Sequence, residues 1–487
     1  MSWRQRFSLA DAPLLTFIAL LAVAAGGISG VKPAYGIVMA VGLTFAVLVL
    51  LNLMIGFAAM VMFAYLEVLS TVGGVSLAKV AGGLLVVAWL GVVSTRGAKV
   101  RNFFIQRPGL TYLLIAFVSW NAISVVWSPD RGEALSSVMR YALDAVLLPI
   151  AFTTIRTRRD FIRVLAVVVA GASVAAISAV IYPPAEESAI AGRAAGTVGD
   201  PNELAAALLV GLAVASAFAV NRWIPRQGRL LAAGSVVLCL FGIVISLSRG
   251  GLIGLAGAIV IAVVVGGRWR GRVLAFGGAV AIAALGYFEL FAALPAKERV
   301  LDLGTTGGGT GRLDLWTVGW RMVQAHPFIG VGTGQFPTSA VHYLLRPGVI
   351  ERGDLILSTP KVAHNTYLNI LAELGIVGGA MFLGLLAVSV GCTVMAMRRL
   401  QRDGDERLEI LVRGLLVGIG GYLITIFFIT ETYSKLLWIV MALGPVLLAI
   451  ASAPAEQEAA ETGPGLDPAW LGPSRLAAAS ADGGGGP

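Results

Sequence analysis

The sequence predicts an all-α protein that crosses a membrane many times, with about fourteen transmembrane helices and at least twelve. Three observations predict this class. Residues of the hydrophobic types make up 57% of the 487, charged residues only 13%, and the mean hydropathy is +0.85. A soluble domain carries about 25% charged residues. The composition therefore excludes a soluble enzyme, a disordered chain and a disulfide scaffold.

The apolar residues fall into runs of spanning length, because a bilayer requires about 20 consecutive apolar residues per helix. The sixth run contains Arg140 and Asp144, which are four residues apart and could pair on one helix face. The second and third runs almost join at Asn52, and the sixth run carries two charges, so the count lies between twelve and fourteen. The runs lie at residues 14–30, 34–51, 53–70, 77–94, 110–127, 136–155, 162–182, 203–220, 230–247, 250–266, 273–294, 367–397, 411–429 and 434–452.

The basic residues predict which side each loop occupies. With the N-terminus in the cytoplasm, alternation places most of the 36 Lys and Arg residues in inner loops, for example at 96–107, 156–163 and 398–413. Short loops rich in Lys and Arg face the cytoplasm. The net charge of +9 is therefore a topology signal and not a sign of nucleic-acid binding. Fourteen spans also place both termini in the cytoplasm.

The chain divides into three predicted regions. Residues 1–182 form N-terminal transmembrane helices, and residues 183–452 form a second membrane domain. The second domain includes the one large outer loop, residues 295–366, in which Arg312 to Ala325 form a possible amphipathic helix. Residues 453–487 are rich in Ala, Gly and Pro and predict a disordered cytoplasmic tail.

Two arginines lie on the outer side, where positive charge is scarce. Arg249 stands in S-L-S-R-G-G between two apolar runs, and Arg193 stands in G-R-A-A-G-T-V-G-D-P-N. An arginine at a membrane boundary either extends its charge to water or has a function. The structural alternative for Arg249 is a turn residue that binds helix C-terminal carbonyls. Asp200 and Asn202 have helix-capping chemistry, which leaves Arg193 unexplained.

His364 opens A-H-N-T-Y-L-N-I-L-A-E-L-G at the outer end of the twelfth run. Asn365, Asn369 and Glu373 follow at spacings of four and therefore share one helix face. An acid inside an apolar span is by default a functional hypothesis. The alternative is a capped helix with a satisfied polar stripe. For His326 and His342, in the outer loop, the structural alternative is the stronger one.

The remaining motifs predict neither a metal nor a cofactor. Three histidines and two cysteines cannot supply a Cys/His zinc pattern. The Gly-rich run at 307–312 lacks the Gly-Lys-Ser/Thr of a phosphate-binding loop and lies on the outer side.

The combined motifs resemble the O-antigen ligase and O-antigen polymerase superfamily over about residues 190–395. The carrying features are His364-Asn365 followed by Gly375 and Gly378, the segment H-P-F-I-G-V-G-T-G-Q-F, and the arginines in G-R-A-A-G and S-L-S-R-G. The resemblance implies a GT-C-like glycosyltransferase in the bacterial inner membrane, with its active site on the periplasmic face. The donor would be a glycan on undecaprenyl diphosphate. The acceptor would be a lipid A core or a second lipid-linked repeat unit.

The residues suit this chemistry. Departure of a diphosphate lipid develops negative charge, and arginine binds phosphate oxygens bidentately without a metal. His364 has the ordinary pKa of a general base near neutrality and could equally contact phosphate. Direct displacement would invert the anomeric centre. The predicted catalytic residues are Arg193, Arg249 and His364, and the predicted substrate-binding residues are Asn365, Glu373, Arg312, Arg321 and His326.

Two other classes remain open on the sequence alone. A transporter or flippase of lipid-linked sugars would also contact lipids and glycans, but transporters tend to show repeated halves and helices broken near the midplane. Here the polar residues collect on one face without a repeat. A structural partner in an envelope complex would leave Arg193, Arg249 and His364 without a role.

Overall fold

The computed structural model describes residues 42, 44–67, 71–72, 75–96, 101–182, 193–290, 311–344, 350 and 361–453. These residues are almost wholly helical. The exception is a two-residue antiparallel pairing of β1, Thr71–Val72, with β2, Val75–Ser76. The predicted span 14–30, parts of the outer loop and residues 454–487 of the predicted tail lie outside the described residues.

The helices follow one another along the chain with short connections. The first eight are α1 Leu53–Phe63, α2 Leu77–Arg96, α3 Phe103–Gln106, α4 Pro108–Ser124, α5 Arg131–Ala145, α6 Leu147–Thr154, α7 Arg158–Ile181 and α8 Pro201–Val220. The next eight are α9 Arg226–Ile245, α10 Arg249–Val265, α11 Arg270–Leu290, α12 Arg312–Ala325, α13 Phe336–Leu344, α14 Thr366–Arg402, α15 Glu406–Thr425 and α16 Lys435–Ala451.

The positions of these helices agree with the predicted apolar runs from 53–70 onward. Seven helices, counting α5 and α6 as one, are long and apolar enough to cross a membrane, and three shorter apolar helices accompany them. The chain is thus a multi-pass membrane protein with helical spans. The predicted total of fourteen is not tested, because it includes residues outside those that the structure describes.

The core is built around α8, whose residues are mostly buried between α7, α9 and α15. The sequence of α8 is rich in Ala and Leu, and small side chains let helices approach closely in a membrane. Outer helices instead carry exposed apolar side chains such as Leu231 and Ile282. Apolar residues on both faces of a helix are what a lipid-facing span requires.

Contacts between loops divide the helix ends into two sets, an inner set and an outer set, as the predicted alternation requires. At one end, the ion pair of Arg158 with Asp405 measures 2.6 Å and that of Arg268 with Glu406 measures 3.1 Å. Both join loops predicted to be cytoplasmic. At the other end, the N–H of Thr366 donates to the Ile426 carbonyl at 3.0 Å, which joins two predicted outer segments. Which set faces the cytoplasm remains a prediction.

The pair α10 and α11 is bent by 120° at Gly266. Such a bend marks either two spans or a re-entrant loop. Ser248, just before α10, contacts the outer set through Asn202, whereas Arg268, just after it, contacts Glu406 of the inner set. The two ends of α10 therefore contact opposite sets, and that α10 is a separate crossing stays a prediction.

One predicted ion pair is wrong. Arg140 does not pair with Asp144 on its own helix. Its guanidinium lies 4.0 Å from the Glu133 carboxylate and over the Tyr433 ring, 5.5 Å from the centroid. Residues 133 and 140 are seven apart, two helical turns along one face, so this partner suits the helix geometry equally well.

Candidate functional site

Arg193 fastens the start of α8 to the junction of α9 and α10. Its Nε donates to the Ser246 carbonyl at 2.9 Å, and its Nη2 donates to Oδ1 of Asn202 at 2.8 Å. The Ser248 hydroxyl donates to the same Asn202 oxygen at 2.9 Å. The binding of helix C-terminal carbonyls, considered in the sequence for Arg249, is therefore carried out by Arg193.

Arg249 is the first residue of α10 and directly follows this network. Ser248 caps the helix, since its hydroxyl accepts from the Gly251 N–H at 3.1 Å. The Arg249 side chain is half-buried and makes no hydrogen bond or ion pair with any described residue. A half-buried guanidinium without a protein partner is available to a ligand anion.

The capping predicted at Asp200 is confirmed. Its carboxylate accepts from the N–H groups of Asn202 and Glu203, at 2.6 and 3.1 Å, and Pro201 is the first residue of α8. Proline is favoured there because its missing N–H would be unpaired anyway. The capping explains why Arg193 and the first turn of α8 keep a fixed separation.

His364 lies in a strained loop before α14. Its φ is +47°, a left-handed value that is uncommon for residues other than glycine. Hydrogen bonds hold the loop on both sides, from Trp316 Nε1 to the Ala363 carbonyl at 3.1 Å and from Thr366 to Ile426. Strain that the surroundings maintain is typical of functional sites.

Burial lowers the pKa of His364 below its ordinary value, and the positive charges of Arg312 and Lys361 lower it further, while Asp200 opposes them. The imidazole is therefore neutral near pH 7 and can accept a proton. The same interactions place His364 within electrostatic range of the α8 cap, so that it lies on the same side of the protein as Arg193.

Asn365 and Glu373 have backbone partners. Asn365 caps α14, with its Oδ1 accepting from the Leu368 N–H at 3.1 Å. Glu373 is 2% exposed, and its two oxygens accept from the N–H groups of Gly334 and Phe336 at 2.9 and 3.0 Å. Glu373 thereby fixes the segment that begins α13 against α14.

The superfamily-like glycine motif forms a break in α14. Gly375 has φ +66° and ψ −171°, and the residues around it bond to the H-P-F-I-G-V-G segment. The Ile376 N–H donates to the Pro327 carbonyl at 2.8 Å, and the Gly332 N–H donates to the Glu373 carbonyl at 2.8 Å. The segment after α12 thus supplies partners for the backbone groups that the break exposes.

The other outer-loop candidates lie apart. The predicted helix from Arg312 to Ala325 is confirmed as α12. Arg312 begins it and is near His364. Arg321 is buried and donates to the Tyr343 carbonyl at 2.9 Å, whereas His326 is exposed at the end of α12. The structure does not bring Arg321 or His326 to the two outer arginines.

A polar cavity of about 430 Å³ lies beside the Arg193 network. Of the predicted site residues it includes only Glu373, but the neighbours Asp200 and Val362 also line it. Its other acidic residues were missed in the sequence, although Glu203 and Glu431 stand at the outer ends of apolar runs. The cavity carboxylates come from Glu67, Glu133, Asp200, Glu203, Glu373 and Glu431.

Glu431 is buried in the connection between α15 and α16. Its Oε2 accepts from the Tyr422 hydroxyl at 3.0 Å. Burial raises the pKa of Glu431 to about 7, although the Ser434 and Tyr422 hydroxyls favour the charged form. Near it, the Lys435 ammonium pairs with Glu67 at 3.2 Å. The cavity wall is thus acidic, with one buried carboxyl able to titrate near neutrality.

An apolar groove of about 560 Å³ lies next to the His364 loop, at Asn365. It runs between α12, α14 and the end of α15, and Asn365 is its polar member. The groove is otherwise aromatic and aliphatic, with Trp316, Trp320, Tyr367, Leu371, Ile376 and Phe427 among its residues.

In comparison with known proteins, residues 234–383 match the family model described as O-antigen ligase. The matched segment includes Arg249, Arg312, His364 and Glu373, and it ends before the C-terminal half of α14. No curated protein matches the chain. This match over residues 234–383 confirms the resemblance to the O-antigen ligase and O-antigen polymerase superfamily that the motifs predicted.

Proposed function

We propose that the chain is a membrane glycosyltransferase that transfers or polymerises a glycan from an undecaprenyl diphosphate-linked donor onto an acceptor sugar hydroxyl. The reaction takes place at the outer face of the bacterial inner membrane, needs no metal and inverts the anomeric centre. The observation that carries the proposal is the guanidinium of Arg249, which binds none of the described residues and lies beside the Arg193–Asn202–Ser248 network.

The two arginines have different roles. Arg193 is committed to Ser246 and Asn202 through Nε and Nη2 and holds the junction in place. Arg249 projects from a helix start fixed by Ser248 and binds the diphosphate of the donor. A preorganised donor of this kind lowers the barrier by about 3–4 kcal/mol, because it meets the charge that develops on the leaving group.

His364 has two possible roles in this reaction. As a neutral imidazole it accepts the proton of the acceptor hydroxyl while that oxygen attacks the anomeric carbon and the diphosphate lipid departs. Alternatively it contacts a phosphate oxygen. Asn365 positions the His364 loop, and Glu373 positions the outer segment that begins α13. The apolar groove beside Asn365 has the composition and the place to receive an isoprenoid chain.

The test is reconstitution into liposomes with a lipid-linked repeat unit as donor and acceptor, with and without lipid A core. Chain growth without lipid A identifies a polymerase, and transfer only to added lipid A core identifies a ligase. Movement of the lipid-linked sugar across the bilayer without a new glycosidic bond would identify the alternative, a flippase, and overturn the proposal.

Variants locate the activity in the proposed site. Arg249→Lys and His364→Ala should lose most transfer while the purified proteins remain folded. Arg268→Lys is the matched control, because Arg268 lies exposed at the opposite end of α10. Transfer near the wild-type rate by both site variants would contradict the proposed residues.

A further inference from the structure

The polar cavity contains carboxyl groups that have no evident role in holding the fold together. Asp200 caps α8, Glu373 binds two backbone N–H groups, and Glu67 pairs with Lys435. Glu133 lies 4.0 Å from the Arg140 guanidinium, and Glu203 and Glu431 remain. Within the described part of the chain, the Glu203 carboxylate accepts no hydrogen bond, and Glu431 interacts with the hydroxyls of Tyr422 and Ser434.

Buried hydroxyls in the cavity wall point independently to a ligand. Ser137 and Thr432 line the cavity and are 0% and 1% exposed. Tyr433 is a neighbour of Ser137 and Tyr141 is a neighbour of Thr432, but neither Ser137 nor Thr432 makes a hydrogen bond of good geometry with a described residue. An unmade hydrogen bond of a buried hydroxyl costs free energy, and native structures satisfy nearly all such groups. A bound polar molecule would supply the missing partners.

The chemistry of the wall identifies the class of that molecule. Carboxylates accept hydrogen bonds, and the hydroxyls of Ser137 and Thr432 both donate and accept. These groups match a ligand with many hydroxyls. Among the described residues that line the cavity, six carry a carboxyl group and Arg140 is the one basic residue; nearby, Lys435 pairs with Glu67. A ligand with a negative charge would be repelled.

The cavity also lies where an acceptor must enter. Asp200 lines it and is within electrostatic range of His364, and Val362 lines it two residues before His364. Glu203 follows Asn202, which binds Arg193. The cavity volume of about 430 Å³ is within the ~300–1,000 Å³ range of small-molecule sites.

Resting on the proposed function, we propose that this cavity binds the acceptor sugar through Glu203, Glu431, Ser137 and Thr432. Its acidic wall selects an acceptor whose terminal sugar carries no negative charge. Neutral hexoses and amino sugars are accepted, and uronic acids and phosphorylated sugars are rejected.

The experiment compares three acceptors that differ only in the terminal residue: a neutral hexose, the corresponding amino sugar and the corresponding uronic acid. We expect the wild-type protein in liposomes to use the first two at least about tenfold better in kcat/KM than the third, because like-charge contacts are strongly unfavourable. Equal use of the uronic acid would overturn the inference without any variant.

Variants test the named residues. Glu203→Gln and Glu431→Gln replace a carboxyl group by an amide of the same shape, and both should raise the KM for the neutral acceptor. Glu431→Gln should also reduce the preference over the uronic acid by at least about threefold above pH 7, where the Glu431 carboxyl is ionised. Glu406→Gln, at the opposite end and half exposed, should keep the wild-type preference. An unchanged KM in folded Glu203→Gln and Glu431→Gln proteins, or an unchanged preference in Glu431→Gln above pH 7, would contradict the inference.

Binding of the free acceptor glycans, measured by calorimetry without donor, separates this inference from the proposed function. Weaker binding of the uronic acid, with no transfer to any acceptor, would support the sugar site and overturn the glycosyltransferase. Transfer to the acceptors together with equal binding of all three glycans would support the glycosyltransferase and overturn the sugar site.

Discussion

Arg193 and Asn202 are joined by a 2.8 Å hydrogen bond from Nη2 to Oδ1, and Ser248 donates to the same oxygen. This shared acceptor ties three outer segments together: the loop before α8, the first turn of α8 and the start of α10. One asparagine therefore sets the position of both outer arginines, which stand 56 residues apart in the printed sequence.

The shared hydrogen bonds to Asn202 predict different effects of substituting Arg193 and Arg249. Arg193→Lys should lower the free energy of unfolding by about 1.5–3 kcal/mol, because an ammonium cannot bind both the Ser246 carbonyl and Asn202. Arg249→Lys should leave stability unchanged and abolish transfer. Thermal unfolding in detergent micelles and transfer assays on the same samples measure both. Asn202→Ala should share the stability loss of Arg193→Lys, and equal stability of all three variants would contradict the network.

The pH dependence of transfer reports on His364. If its imidazole is the base, transfer must fall as the pH falls through the His364 pKa. Burial and the charges of Arg312 and Lys361 lower that pKa, so the decline should be centred below the ordinary value of 6.5. Profiles of kcat/KM between about pH 4.5 and about pH 8.5, two units either side of the ordinary histidine pKa of 6.5, would show it.

Arg312→Gln provides the control for this profile. Removal of the neighbouring positive charge should move the acid limb to higher pH without abolishing transfer. If the acid limb stays in place in Arg312→Gln, the titrating group is not His364. Retention of the limb in His364→Ala would lead to the same conclusion.

Local signals in the sequence were sufficient for much of the fold. The amphipathic spacing after Gly311 predicts α12 at its observed bounds, and Asp200-Pro201-Asn202 predicts the start of α8. Both depend on residues within one or two helical turns. Apolar length likewise predicts the positions of the helices from residue 53 onward, because a span is defined by its own composition.

Features that depend on distant partners were not predictable in the same way. The run 367–397 reads as one continuous helix, and its break at Gly375 needs the carbonyls of Pro327 and Phe328 from another segment. The cavity similarly brings Glu67, Glu203 and Glu431 together from three parts of the chain. Each acid is visible in the sequence, but their convergence is a property of tertiary packing.

The break in α14 predicts a large effect from a single methyl group. Gly375→Ala should destabilise the protein by at least about 2 kcal/mol, because alanine is strained at φ +66° and its Cβ would overlap the Phe328 carbonyl. Gly391→Ala on the same helix is the matched control. Gly391 has open space around it and should tolerate the change or gain up to about 1 kcal/mol. Equal unfolding temperatures of the two variants would contradict the described break.

Glu431 predicts a pH dependence of stability. Its pKa rises from 4.5 to about 7 on folding, so the unfolded chain releases this proton more readily than the folded protein. The stability that the proton contributes is complete below pH 4.5 and is lost as the pH rises to 7. Glu431→Gln removes this term. The unfolding temperature of the variant should therefore gain on the wild type between pH 5 and pH 7.5, roughly the window of the shift.

The control for Glu431→Gln is a carboxyl group that is not buried. Glu406 is half exposed and pairs with Arg268, so Glu406→Gln should follow the wild-type pH dependence. A constant difference between wild type and Glu431→Gln across the pH range would mean that the Glu431 carboxyl titrates normally and is accessible to water.

The two sets of loop contacts predict the sidedness of the protein. His326 is exposed in the outer set, and Asp403 is exposed in the inner set between α14 and α15. In a background with Cys239 and Cys392 replaced by alanine, His326→Cys should react with a membrane-impermeant thiol reagent added to intact spheroplasts, and Asp403→Cys should react only after lysis. Cys239 and Cys392 are both buried, so their replacement removes little that the fold exposes.

The labelling result bears on the reaction as well as on the topology. A lipid-linked glycan that reaches Arg249 and His364 from the periplasm requires the outer set to face away from the cytoplasm. If Asp403→Cys reacts in intact cells and His326→Cys does not, the positive-inside assignment is reversed. The proposed donor and acceptor would then lie on the wrong side of the membrane from the site. If both react as expected, the Arg249→Lys and His364→Ala assays can be interpreted as tests of chemistry and not of access.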